Sequence, residues 1–96
     1  MIRREGNRLY LSGAVTLANV TALLEEARVP FADGVREVDL GEVTELDSSL
    51  LAALLSWMRE AKSRGHPLAF FRLPPDLLTL AQLYGVAQLV SQDAPH

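Results

Sequence analysis

The sequence predicts an α/β fold in which a mixed β-sheet of four to five strands is flanked by α-helices. An early segment alternates polar and apolar residues with period two, as a half-buried strand does. A long central segment repeats apolar residues at spacings of three and four, as one face of a helix does. Strand-like and helix-like segments alternate in the rest of the chain, which favours parallel strand pairs with helices packed on them. The predicted order is β-β-α-β-α-β-α, in a single domain of 96 residues.

The first two strands are predicted to form a hairpin. Residues 8–12 alternate with period two, and Gly6-Asn7 before them is a turn signal. Residues 2–5 are therefore the expected partner strand.

A helix is predicted after Gly13, where the period of the pattern changes. We expect Thr16 to be its N-cap, and Pro30 and Asp33-Gly34 to end it. Its apolar stripe is expected to contain Leu17, Val20, Leu23, Leu24 and Ala27.

The middle of the chain predicts a central strand and the longest helix. The strand is expected to end at about Leu40, and a short loop should follow it. Residues 48–64 have helical periodicity, with Gly65 placed as a left-handed C-cap and Pro67 beyond it.

The C-terminal part predicts one more strand and one more helix. Residues 68–73 are almost wholly apolar, which is typical of a strand covered on both faces. Pro74-Pro75-Asp76 suits a helix entry, and Gly85 ends that helix. Its inner face is expected to contain Leu77, Leu80, Ala81 and Tyr84. Residues 86–90 are expected to form a last strand or helical turn, and the tail 91–96 is expected to be loose.

Composition excludes several classes of function. The net charge of −3 and a pI near 5.2 argue against a surface for nucleic acid or anionic membranes. There is no cysteine, so disulfides and thiolate metal sites are excluded. The longest apolar run, residues 50–55, is far too short to span a bilayer, and residues 1–5 do not begin a signal peptide. We therefore expect a cytoplasmic domain with no membrane insertion.

No catalytic, cofactor or metal site is predicted. His66 lies between a helix cap and a proline and His96 is the last residue, so neither has an evident nucleophile beside it. The acidic cluster Glu42, Glu45 and Asp47 lacks the glycine-centred spacing of a calcium loop and is interpreted as a solvated turn. There is no glycine-rich phosphate-binding loop.

The segment Asp47-Ser48-Ser49, at the start of the longest helix, has two interpretations. It is a helix-capping sequence, and it is also a candidate docking point. On a helical wheel Ser49 falls opposite the apolar arc and should point outward, whereas Ser48 falls near the boundary. Because a helix N-terminus favours anions, a phosphate on an outward serine would alter the surface without unfolding the helix. Residue chemistry alone leaves both interpretations open.

The pattern Asp39-Leu40-Gly41-x-Val43-x-x-Leu46-Asp47-Ser48-Ser49, followed by a Leu- and Ala-rich helix, resembles the signature of STAS domains. This family is named for sulfate transporters and anti-sigma-factor antagonists. The resemblance covers nearly the whole chain, is strongest over residues 38–85, and implies a mixed sheet flanked by helices.

Two branches of that family are similar to this sequence. In anti-sigma-factor antagonists the motif is Asp-Ser-Ser-Gly and its second serine is phosphorylated by a partner kinase; here that serine is Ser49, but Leu50 replaces the glycine. In the MlaB-like subunits of phospholipid-transport ABC complexes the matching hydroxyl residue is Ser48. The segment Leu80-Ala81-x-Leu83-Tyr84 resembles the MlaB-like branch.

The resemblance implies a non-catalytic subunit that binds the cytoplasmic ATPase of an Mla-type phospholipid transporter and is peripheral to the inner membrane through it. The alternative is an anti-sigma-factor antagonist, with an anti-sigma factor kinase as partner and Ser49 as the phosphorylated residue. The expected partner-binding residues are Asp47, Ser48, Ser49 and Trp57. Trp57 lies at the edge of the apolar arc and is interpreted as a half-exposed residue that contacts the partner. Leu78 is interpreted as an exposed apolar contact.

Overall fold

The computed structural model describes residues 1–89 and confirms the α/β class and the element order. The elements are β1 (Ile2–Glu5), β2 (Arg8–Val15), α1 (Val20–Ala32), β3 (Glu37–Leu46), α2 (Ser48–Ser63), β4 (Ala69–Phe71) and α3 (Pro75–Leu83). Residues 86–89 form a turn rather than a strand. The expectations for residue 90 and for the tail 91–96 lie outside the described residues.

The four strands form one mixed sheet in the order β1-β2-β3-β4. Strands β1 and β2 are an antiparallel hairpin, closed by a turn in which Gly6 has a φ of 60°. The pairs β2–β3 and β3–β4 are parallel, so each needs a helical crossover, which α1 and α2 provide. The predicted hairpin and the predicted parallel pairs are both confirmed.

One face of this sheet packs against the helices and forms the core. Because side chains alternate between the two faces of a strand, Leu9 and Leu11 of β2 point to the same side, as do Val38 and Leu40 of β3. All four are fully buried. Buried side chains from all three helices complete the cluster: Leu23, Ala27, Leu50, Leu51, Leu54, Trp57, Leu77 and Ala81. Each buried leucine contributes about 1.5–3 kcal/mol through removal of apolar surface from water. Within residues 1–89, no helix combines the length and apolar character needed to cross a membrane.

The opposite face of the sheet is built from arginines, carboxylates and aromatic rings. The guanidinium of Arg8 lies over the Phe71 ring at 4.2 Å, and that of Arg3 lies over the Tyr10 ring at 4.5 Å. Strand β4 is a three-residue edge strand of which Phe70 alone is buried. The prediction that residues 68–73 form a strand covered on both faces is therefore wrong, because the second face carries polar side chains instead of a helix.

Asp39 is the buried charge that organises this polar face. It is 2% exposed although it points away from the helices. Its carboxylate accepts hydrogen bonds from Nε of Arg72 at 2.9 and 3.0 Å and from the Gly41 N–H at 2.8 Å, and Nη1 of Arg8 lies at 3.4 Å. Since a buried carboxylate without partners is very costly, these donors are what permit its burial.

Gly41 makes room for this ion pair. A Cβ atom at Gly41 would lie 2.5 Å from the guanidinium carbon of Arg72, which is closer than any van der Waals contact allows. Arg72 has a φ of 54°, in the left-handed region that non-glycine residues adopt rarely. Asp39 therefore binds the side chain of Arg72, which is 33 residues away in sequence, and the absence of a side chain at Gly41 leaves space for it.

Both long strands extend further than predicted. Strand β2 continues to Val15 because Gly13, with a φ of 77°, lies at a bulge rather than at the end of the strand. Strand β3 continues past Leu40 to Leu46, paired along that length with β2. The predicted loop after Leu40 is thus wrong, and the segment before Asp47 is held in the sheet.

Helix α1 begins later than predicted, and it ends at Ala32, directly before the predicted stop at Asp33-Gly34. Asn19, not Thr16, precedes the first helical residue, and its side chain is bound to the backbone of Ala14 and Thr16. This turn keeps Leu17 out of the helix, 77% exposed. Pro30 lies inside the last turn, whereas Gly34 and Gly65 follow their helices with positive φ as glycines at helix ends do.

We predict that Gly41→Ala destabilises the protein only while Arg72 is present. In the wild-type background the new methyl group displaces the guanidinium from Asp39 and should cost about 1–3 kcal/mol of unfolding free energy. In the Arg72→Ala background it should be neutral, or stabilising by about 0.4–1 kcal/mol through the less flexible unfolded chain. Denaturant unfolding of the four proteins of this double-mutant cycle measures the coupling. An equal cost in both backgrounds would contradict the role of Gly41.

Candidate functional site

The carboxylate of Asp47 caps helix α2, as the sequence predicts for this segment. Asp47 has an extended backbone, and its Oδ1 accepts a hydrogen bond from the Ser49 N–H at 2.9 Å. The hydroxyl of Ser49 donates to the same oxygen. The other oxygen, Oδ2, accepts from the backbone N–H of Leu17 at 3.0 Å. One side chain therefore joins the start of α2 to the loop between β2 and α1.

The sheet brings these two segments together. Val15 pairs with Leu46 at the ends of the parallel strands β2 and β3, and parallel strands end at the same edge of a sheet. The loop after Val15 and the helix entry after Leu46 are consequently neighbours. The side chain of Asn19, bonded to Thr16 N at 2.9 Å and Ala14 O at 2.8 Å, fixes the shape of that loop.

The two serines differ in exposure, in the reverse of the predicted order. Ser48 is exposed, whereas Ser49 is partly buried and bonded to Asp47. The prediction that Ser49 points outward is wrong, because a helical wheel places side chains by angle alone and ignores the acceptor at the cap. In the first turn of α2 the free hydroxyl thus belongs to Ser48.

The Asp47 carboxyl is held in its charged form. The hydroxyl of Ser49, followed by the N–H groups of Leu17 and Ser49, lowers the pKa of Asp47 below its usual value. A carboxylate at this position also complements the positive end of the α2 dipole.

The other acidic residues do not join Asp47 in a metal site. Glu42 pairs with Arg3 on the polar face of the sheet, at 3.2 Å, and Glu45 is exposed. Among residues 1–89, no three His, Asp or Glu side chains converge as metal ligands would.

Helix α3 provides the second side of the site. A cavity of about 380 Å³ separates it from the start of α2, and its lining residues are Leu46, Asp47, Ser48, Asp76, Thr79, Leu80 and Tyr84. Large apolar side chains in this region and in the adjoining loop are open to solvent: Leu83 is 76% exposed, Tyr84 60% and Leu17 77%. We call Leu17, Asp47, Ser48, Leu80, Leu83 and Tyr84 the α2–α3 surface.

The sequence pattern does not predict four members of this surface, among them Leu80, which it places on the inner face of α3 and which is half-buried. Leu17 was assigned to the apolar stripe of α1, and Tyr84 to the inner face of α3, but both are exposed. Leu83 belongs to the segment that resembles the MlaB-like branch, but the sequence pattern predicts no exposure for it. Tyr84 lies just past the end of α3, as its C-cap and directly before Gly85, so the helical periodicity used to place it on the inner face does not apply to it.

Trp57 is not part of the surface. It is 4% exposed and packs against Phe31, with the ring centroids 5.1 Å apart. Its interpretation as a half-exposed contact is therefore wrong, because α1 covers the part of α2 that the helical wheel left at the edge of the arc. Leu78 is 37% exposed, in line with its predicted position off the main stripe of α3.

We predict that Asp47→Ala lowers the melting temperature by roughly 4–8 °C at neutral pH, because it removes an N-cap from a small domain. The folded-state pKa of Asp47 is lowered, so its stabilisation is complete above the unfolded-state pKa of about 3.9 and is lost as the pH falls through the folded-state value. The difference between wild type and variant should shrink in acid when followed by denaturant unfolding from neutral pH downward. Glu45→Ala, an exposed carboxylate nearby, is the control and should change stability little. A wild-type–variant difference that is independent of pH would contradict the capping role.

Comparisons with known proteins agree with this architecture. The family model described as "Mlab, STAS domain" matches residues 1–91. Among solved structures, the anti-sigma factor antagonist SpoIIAA in its unphosphorylated form superposes with a TM-score of 0.70 at 15% identity, over 92% of this chain and 82% of that one. A crystal structure of Mglu has a TM-score of 0.57 at 20% identity, over 78% of this chain and 20% of that one. Mglu in its native form has a TM-score of 0.51 at 20% identity, over 76% and 22%.

At these identities the structural similarities concern the fold alone. A comparison with curated proteins found no match. The family model, in contrast, spans nearly the whole sequence and all seven elements. The chain therefore belongs to the MlaB-like STAS domain family.

Proposed function

We propose that this chain is a non-catalytic subunit that binds and stabilises the cytoplasmic ATPase of an Mla-type phospholipid-transport ABC transporter. In this proposal the protein is cytoplasmic and is held at the inner membrane by its partner, where the transporter maintains outer-membrane lipid asymmetry. The observation that carries the proposal is the exposed Ser48 at the start of α2, beside exposed apolar side chains of α3 and of the loop before α1.

The α2–α3 surface has the chemistry of a protein-binding surface. Tyr84 lines the same cavity as Asp47 and Ser48, the backbone of Leu17 is bonded to Asp47, and Tyr84, Leu83 and Leu17 all expose large apolar side chains. Tyrosine is enriched among the residues that dominate binding energies, because it combines apolar area with a hydroxyl group. The cap at Asp47 fixes the loop and the helix entry relative to each other, so the surface is formed before a partner arrives and loses little entropy on binding.

The groups around Ser48 and Ser49 also favour a binding role over catalysis. A nucleophilic serine needs a neighbouring general base. The hydroxyl of Ser49 instead donates to a carboxylate whose lowered pKa makes it a weak base. His66, the one histidine in residues 1–89, follows the opposite end of α2.

An anti-sigma-factor antagonist switched by phosphorylation of Ser49 is the second candidate. The Asp47-Ser48-Ser49 motif and the structural similarity to SpoIIAA favour it. The contacts of Ser49 weigh against it, because a phosphate there would remove the hydroxyl donor to Asp47. It would also place a charge of roughly −1.5 to −2 beside that carboxylate. We therefore favour a permanent contact through Ser48.

We predict that Ser48→Glu abolishes co-purification with the transporter ATPase while the domain stays folded. A glutamate at a helix N-terminus is compatible with the dipole, so stability should be unchanged, but its bulk and charge would occupy the centre of the contact. Affinity should fall at least about 30-fold, as for substitution of a residue at the core of an interface. The matched control is Ser56→Glu, an exposed serine of α2 outside the α2–α3 surface, which should bind as wild type does. Normal binding of the ATPase by a folded Ser48→Glu variant would contradict the assignment of Ser48 to the contact.

We also predict that the protein isolated from its host carries no stoichiometric phosphate on Ser49 and co-purifies with an ABC ATPase. Intact-mass and peptide mass spectrometry of the tagged protein and its partners measure both. Phosphate on most copies of Ser49, together with capture of a kinase-like protein, would replace the transporter proposal by the anti-sigma one.

A further inference from the structure

An apolar groove lies at the other end of α2, away from the α2–α3 surface. It has a volume of about 710 Å³ and runs between the second half of α2 and the turn that follows α3. Its apolar lining includes Leu55 and Met58 from α2, Pro67 and Leu68 from the segment before β4, and Val86 and Leu89 from the turn. Leu55, Met58, Leu68 and Val86 are half-buried, so the floor of the groove is apolar and partly accessible to solvent.

In the part of the chain that the structure describes, the charged side chains that line this groove are two cations. Arg59 and Lys62 of α2 lie along it, His66 lies at the turn after the helix, and none of the lining residues within 1–89 is a carboxylate. Within residues 1–89, neither Arg59 nor Lys62 is in an ion pair or side-chain hydrogen bond. The arginines that are in ion pairs are Arg3, Arg4, Arg8, Arg28, Arg64 and Arg72. In a chain with a net charge of −3, two unpaired cations beside an apolar groove fit a ligand with an anionic head and an apolar body.

The size of the groove favours a small molecule over a protein segment. Its volume lies within the range of about 300–1,000 Å³ that is usual for small-molecule sites. Ten of the described residues line it, whereas a stable protein interface takes roughly 20–30 residues on each side.

We propose that this groove binds a long-chain carboxylate, with the acyl chain against Leu55, Met58 and Leu68 and the carboxylate at Arg59 and Lys62. The guanidinium of Arg59 can hold both carboxylate oxygens at once, and Lys62 adds a second positive charge one turn along the helix. The groove begins at the middle of α2, with Leu55, and its cations lie roughly 16–21 Å from Ser48 along the helix axis. The two sites are therefore separate, and this inference does not depend on the proposed ATPase contact.

Methyl NMR of the full 96-residue chain tests the proposal, because the sequence has two methionines, Met1 and Met58. In protein labelled at the methionine methyl groups, dodecanoate below its micellar concentration should shift the Met58 signal saturably. The Met1 signal should stay in place as the internal control. Butyrate, which has the same head and no long chain, should have no effect. Dodecyltrimethylammonium, which has the same chain and the opposite charge, should bind at least about tenfold more weakly.

A matched pair of charge reversals separates the groove from general electrostatics. Arg59→Glu should weaken dodecanoate binding by about tenfold or more, since it removes a charged hydrogen bond. Arg28→Glu makes the same change of charge on the exposed surface of α1 and should leave the affinity within about twofold. The proposal is overturned by a Met58 signal that does not move, by equal binding of the cationic amphiphile, or by equal effects of the two variants. It is also overturned if an acidic amphipathic peptide shifts Met58 where dodecanoate does not.

Discussion

The side chain of Asp47 is the interaction on which the candidate site depends. One oxygen accepts hydrogen bonds from the backbone N–H and the hydroxyl of Ser49, and the other accepts one from the backbone N–H of Leu17. One carboxylate therefore joins the start of α2 to a loop that lies 30 residues earlier in the sequence. Because these donors lower its pKa, the group stays charged and keeps both contacts at neutral pH. Ser49 is thereby turned inward, and Ser48 is left as the free hydroxyl. The cap therefore explains why Ser49 is bonded and partly buried while Ser48 is exposed.

The sheet supplies the constraint that makes the cap possible. Two bulges, one of them at Gly13, let β2 and β3 stay paired as far as Val15 and Leu46, which ends both strands at the same edge. On the outer face the buried Asp39 holds Arg72 in the space left by Gly41. The Asp-x-Gly and Asp-Ser-Ser parts of the motif therefore do different things. The first fixes the outer face of the sheet, and the second forms the surface proposed to bind a partner.

The sequence was sufficient for features that depend on local pattern. Period-two alternation predicts β2, and the repeat of Leu and Ala predicts α2; the structure confirms both. Gly65 and Gly85 were predicted to end their helices, and both follow a helix with positive φ. Features that depend on contacts between distant residues were missed. Leu17 fits a helical stripe, but it lies outside the helix because Asp47 accepts its backbone N–H and Asn19 accepts the N–H of the preceding Thr16. The position of Ser49 on a helical wheel does not show that the carboxylate of Asp47 accepts a hydrogen bond from its hydroxyl. Arg72 forms an ion pair with the carboxylate of Asp39, 33 residues earlier, and no local sequence pattern predicts that contact.

Hydrogen exchange of the backbone amides, with and without the transporter ATPase, tests the central claim that the α2–α3 surface is the docking surface. Adding the ATPase should slow exchange in residues 16–18, in the first turn of α2 and at residues 80–84, because these amides would be covered together. Strands β1 and β4 and the far end of α2 should exchange as in the free protein. Protection confined to the outer face of the sheet or to the second half of α2, with residues 16–18 and 80–84 unchanged, would contradict the claim.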